Sequence, residues 1–185
     1  MNPWTFAFSL LICIALDTSF LSVISIGQVH PLSTATLVVF VSLFAPRPVA
    51  LWASLAAGLL LDLVTPAVFG GDRMFYLPGP YALGFVFGTQ LVLLLRSMVF
   101  RRNPFAVGLL TTPFLFAVSL AYMALWSIRG VYPDTSVPWA GDPAIDELIR
   151  RLGIAAYSGA FGIPMGWLLL FTWPIWRFDL TALRR

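Results

Sequence analysis

The chain has 185 residues, of which 59% are hydrophobic and only 10% charged. Soluble domains carry about 25% charged residues, so a water-soluble globular fold is excluded, and no polar segment is long enough to hold a separate soluble domain. The net charge of +3 comes from eleven basic residues against eight acidic ones; all eleven are arginine and most sit at the ends of apolar runs, where they act as topology signals rather than as a nucleic-acid surface.

Three long stretches carry no charge: Met74 to Leu95, Asn103 to Ile128 and Leu152 to Trp176. About 20 apolar residues at 1.5 Å each cross a hydrocarbon core of roughly 30 Å. The fold class expected is therefore all-α, a polytopic membrane helical bundle of about six transmembrane helices forming one domain over residues 1–185. In chain order the spans are expected at 3–26, 31–45, 49–64, 80–99, 104–128 and 152–176. His30-Pro31 and Pro46-Arg47-Pro48 bound the short second span, because the residue before a proline disfavours helix. The second and third spans are short enough that a re-entrant pair, or five spans in all, is the competing reading. Thr65 to Gly79 reads as an interfacial loop with turns. Residues 129–151 form the polar outer loop. Its second half, from Pro143 to Leu152, has acids early and arginines late, which suits the helix macrodipole and predicts a short amphipathic surface helix. No internal repeat is evident.

With six spans both termini share a side. That side holds Arg47, Arg96, Arg101, Arg102, Arg177, Arg184 and Arg185; the other holds Arg73, Arg129, Arg150 and Arg151. The excess predicts both termini in the cytoplasm. No cleavable signal peptide is expected at the N-terminus.

Asp62 is the leading candidate residue. An ionisable group in a membrane span is costly, so it faces the bundle interior or water. Ala50, Ser54, Gly58 and Asp62 recur every fourth residue and share one helix face. Small residues there admit a neighbouring helix, and the carboxylate can accept hydrogen bonds across the seam. The face reads either as a partner contact or as internal packing, with Asp62 capping a helix or pairing with Arg73. Asp17 lies at a similar depth, roughly 21 Å from the inner end of its span, and the two acids could share a polar pocket if their helices are neighbours. Gly84 and Gly88 form a GxxxG, and Ala155, Gly159, Gly162 and Gly166 a second small-residue stripe. These mark close helix contacts. Pro113 and Pro164 are expected to kink their spans. Trp139, Trp173 and Trp176 fit interfacial belt positions.

The single histidine, His30, and the single cysteine, Cys13, have no companions with metal-ligand spacing, so neither a metal nor a disulfide is expected. No catalytic triad, HExxH or phosphate-cradling loop occurs. No enzyme activity and no cofactor are expected.

The short second span, the stretch Ala56-Ala-Gly-Leu-Leu-Leu-Asp-Leu63 and the following Phe69-Gly70 resemble MreD, the rod-shape-determining membrane proteins of the bacterial elongation machinery. The resemblance covers about Pro31 to Leu125, with Gly58 to Asp62 its most diagnostic piece. Met74-Phe75-Tyr76 and the proline-rich 132–143 segment depart from it. It implies a bundle similar to the S components of energy-coupling-factor transporters and a non-enzymatic role. The implied partners are an MreC-like bitopic protein, the peptidoglycan synthase pair RodA and PBP2 and, indirectly, MreB filaments. Gly58 and Asp62 are the residues that carry over. A substrate-binding S component, with Asp17, Asp62, Gln28 and His30 converging on a small solute, is the alternative expectation. An intramembrane lipid enzyme with Asp62 as base is the third.

Overall fold

A computed structural model describes residues 1–21, 23–65, 67–69, 73–75, 78–99, 103–131, 139, 143–176 and 178. The elements are α1 (Pro3–Ala15), a π-helical turn (Leu16–Phe20), α2 (Ser33–Phe44), α3 (Arg47–Val64), strands β1 (Ala67–Phe69) and β2 (Arg73–Phe75), α4 (Pro80–Leu95), α5 (Pro104–Arg129), α6 (Ala144–Phe171) and α7 (Trp173–Trp176). The described residues are overwhelmingly helical. The exception is the small antiparallel hairpin β1–β2, which pairs Val68 with Met74 inside the segment expected to be a plain loop.

Among the described residues, four helical segments are long and apolar enough to cross a membrane: Pro3–Phe20, Arg47–Val64, Pro104–Arg129 and Ala144–Phe171. α2 and α4 are apolar but shorter. The described boundaries also differ from expectation at two ends. The first span stops at Phe20, where the chain turns and Ile26 bridges to Val29. The last span and the expected surface helix are one continuous α6. Of the expected polar loop, 132–138 and 140–142 lie outside the described residues, and 144–151 belong to α6. Five of the arginines behind the topology argument, Arg101, Arg102, Arg177, Arg184 and Arg185, also lie outside the described residues.

Proline starts several helices. Pro3, Pro80 and Pro104 occupy the first turn, where a missing N–H costs nothing. Asn2 and Asn103 add side-chain caps, accepting from Trp4 N at 3.2 Å and Phe105 N at 3.0 Å. Pro113 and Pro164 lie inside α5 and α6, which remain helical through them.

α3, α4, α5 and α6 pack as sequential neighbours, and α2 touches α1, α3, α4, α5 and α6. α2 is the core. Each of its twelve residues is buried, and all but Phe44 are at 0% exposure. Its Val- and Thr-rich sequence is a weak helix former. Enclosure in an apolar bundle imposes the helix, since backbone groups there find no water. Exposed apolar side chains such as Trp52, Phe87, Leu109 and Trp167 cover the outside, the arrangement a lipid solvent favours.

The glycine stripes land on adjacent helices. A Cβ on Gly84 would come within 3.1 Å of the Val118 side chain, and one on Gly88 within 2.8 Å of the Phe114 ring. Gly159 and Gly162 lie against Gly108 of α5, a glycine that had not been singled out. At the end of α2, Phe40 and Phe44 meet Trp176 and Trp173, with ring centroids 5.2 and 4.3 Å apart. Trp176 is thus a core residue, 1% exposed, and not the interfacial anchor expected. It sits inside because α7 folds back across the end of α2.

Candidate functional site

Asp62 ends α3 and is 3% exposed. Its carboxylate accepts from three backbone N–H groups at the start of α4: Gly79 at 2.8 Å, Tyr81 at 2.9 Å and Ala82 at 3.0 Å. The first turn of a helix leaves its N–H groups without intrahelical partners, and the dipole there favours negative charge. Asp62 answers both needs from another helix. Gly58, one turn earlier, makes this possible. A Cβ at Gly58 would lie 2.6 Å from both the Tyr81 carbonyl oxygen and the Ala82 Cα. Gly79 has φ +141°, a conformation that side chains disfavour. The stretch from Gly58 to Asp62 is therefore a helix-docking device. Ser54 on the same face is fully buried, and its hydroxyl donates back to Leu51 O at 2.8 Å.

Asp17 repeats the arrangement on α2. It sits in the π-helical turn that ends the first span. Oδ1 accepts from Ser33 N and from the Ser33 hydroxyl, both at 2.7 Å, and Oδ2 accepts from Thr34 N at 3.0 Å. The residue one turn earlier again meets the capped helix, because the Ser33 hydroxyl lies 3.1 Å from the Cys13 carbonyl oxygen. Leu32 N is taken by the Ser158 hydroxyl of α6 at 2.9 Å. At the other end of α2, Arg96 Nη1 donates to Ala45 O at 3.2 Å and reaches Ser42 O at 3.4 Å. A helix with no access to water is thereby closed by a carboxylate at its positive end and a guanidinium at its negative end.

The two acids do not form one pocket. Asp17 serves α2 and Asp62 serves α4, with no hydrogen-bond partner in common. Gln28 is exposed and His30 half-buried. The suggested partner of Asp62, the Arg73 side chain, lies outside the described residues. Among the described residues no three His, Cys, Asp or Glu side chains come together.

A second polar group lies beside the Asp62 cap. The Tyr81 ring sits 4.8 Å from the Tyr122 ring of α5. The Arg151 guanidinium of α6 stacks on Tyr122 at 3.9 Å. Glu147 accepts from Arg151 Nε at 2.7 Å and from Arg150 Nε at 2.8 Å. Glu147 and Arg151 are both buried. Sequence reasoning counted these arginines only as topology signals. The i,i+3 and i,i+4 spacing from Glu147 was the available sign that they are neutralised on their own helix. Tyr81 and Tyr122 gave no signal.

This arrangement binds helices together. Its charged and polar groups meet one another or backbone ends, and the packed interior belongs to α2. No family model, curated protein or solved structure matches the chain. The class the fold defines is a helical membrane bundle with, among the described residues, four helices long and apolar enough to cross a bilayer.

Proposed function

We propose that the chain is a non-enzymatic, MreD-like scaffold of the bacterial cell-elongation complex, embedded in the cytoplasmic membrane and supporting rod shape and peptidoglycan synthesis. In this reading it crosses six times, as α1 and α3 to α6 with α2 enclosed among them, and both ends lie on the cytoplasmic side. α2, about 18 Å long, is carried within the bundle's thickness and never meets lipid. The backbone bond from Asn2 N to Trp176 O at 3.0 Å, joining the first helix to the last, supports termini on one face. The partners are an MreC-like bitopic protein and, with it, a RodA/PBP2-type synthase and MreB-like filaments.

The observation that carries the reading is the use of both intramembrane carboxylates as helix caps. An acid expected to bind a solute or move a proton needs a free face, whereas Asp62 already accepts three backbone N–H bonds and Asp17 three donors. A bundle whose two intramembrane carboxylates are engaged internally offers partners its apolar outer surface and its shape.

Purification of the tagged chain from membranes in mild detergent tests this. Co-elution of a bitopic MreC-like protein, retained in a chain carrying Gln28→Ala and His30→Ala, is the expected result. Co-elution of an ATP-binding cassette pair with a bound vitamin would replace the scaffold by a transporter S component.

A further inference from the structure

Of the four long helical segments, the one containing α1 is the least enclosed by the rest of the bundle. It packs on α2 and, near its start, on α7. Two sets of bonds hold its ends. At the inner end Asn2 N donates to Trp176 O at 3.0 Å. At the outer end Asp17 holds Ser33 and Thr34, and the following turn is tied to α6 by the Tyr157 hydroxyl, which donates to Ile24 O at 3.0 Å.

Between these ends α1 stands away from α6. A cleft of about 420 Å³ separates them, walled by Phe8, Ser9 and Ile12 on α1, Met165 and Leu168 on α6, and Ile175 on α7. Phe8, Leu168 and Ile175 are exposed at its rim, so the cleft opens sideways, beside the middle of α1 and the last turns of α6, onto the surface that faces lipid. The liquid there is hydrocarbon. An unfilled apolar gap forfeits dispersion contacts along both walls, and water does not enter apolar space of this kind. Ligand pockets range over about 300–1,000 Å³, so the volume suits a single flexible chain and is too small for another helix. An acyl chain both reaches the cleft and matches its walls.

We propose that α1 is a strap over a lateral lipid port: held at its two ends, it closes over one acyl chain of a membrane phospholipid, which lies between α1 and α6 as a part of the folded bundle. The inference needs only the membrane setting and stands apart from the scaffold reading.

The test reconstitutes the full chain in phosphatidylethanolamine–phosphatidylglycerol vesicles doped with a phosphatidylglycerol bearing a diazirine in mid-chain. The loaded protein is transferred to probe-free lipid, illuminated, and its adducts mapped by mass spectrometry. Adducts on 5–13 and 165–176 are expected to exceed, several-fold, those around Trp52 and Leu120 on the open lipid faces. Ser9→Phe, which fills the cleft, is expected to remove that excess, and Met165→Trp fills it from the opposite wall should the first variant fail to fold. Labelling spread in proportion to exposure in the unmodified chain would overturn the proposal. So would an excess that survives a folded, filled variant.

Discussion

Asp17 leaves α1 through a π-helical turn and holds a helix wholly enclosed by the bundle, whereas Asp62 ends α3 in regular α geometry and holds a helix with one exposed face. The chemistry is shared: a carboxylate on the last turn of one helix accepts the orphan N–H groups of the next short helix, and the residue four positions earlier touches the same target. The surroundings differ. α2 has Arg96 at its far end and Ser158 beside its start. The cap on α4 lies beside the exposed Pro78 and the half-buried Gly79. A cap matters most where nothing else can satisfy the backbone. The comparison therefore ranks Asp17 above Asp62.

Asp17→Ala is expected to have the largest effect, about 3 kcal/mol, because two buried N–H groups and a hydroxyl lose their acceptor with no water to replace it. Thermal unfolding in detergent micelles measures it. A change no larger than that of Asp62→Ala would break the ranking. Asp62→Ala is expected to cost about 2 kcal/mol, reduced because water reaching the exposed Pro78 and half-buried Gly79 recovers part of the loss. Gly58→Ala sharpens the point, since a methyl there meets backbone atoms of α4 that cannot rotate away. A cost of about 1.5 kcal/mol is expected, and it should shrink when combined with Asp62→Ala, as residues at one contact couple. Arg96→Ala is expected to cost about 1 kcal/mol through the carbonyl end of α2, leaving amide exchange at Tyr81 and Ala82 as it was.

Much of the candidate site was legible in part. Asp17 and Asp62 stood out because a charge in an apolar run demands a reason, and Ser54 and Gly58 because they recur on its face. What they bind was not legible. A cap between residues 16 to 20 positions apart has no periodic signature, unlike a capping box, whose partners lie within one turn. The absence of a sequence repeat hid a structural one for the same reason: Cys13-Asp17 and Gly58-Asp62 share spacing and role but not residue types. The segment from Pro143 to Leu152 was read as helical, but Asp146, Glu147, Arg150 and Arg151 made it look like a surface helix separate from the last span, whereas the two are continuous. On the helix Glu147 neutralises two neighbours, and the run of helix begins at Ala144. Trp176 was misplaced because tryptophan near a span end usually marks an interface, and only the fold shows that α7 turns it inward onto Phe40.

Amide hydrogen exchange on the chain in lipid nanodiscs tests the central claim most directly. Asp17→Ala is expected to accelerate exchange at Ser33 and Thr34 while Gly79, Tyr81 and Ala82 stay protected, and Asp62→Ala to do the reverse. Protection unchanged at both helix starts in both variants would contradict the account, because the carboxylates would then not be what holds α2 and α4 in place.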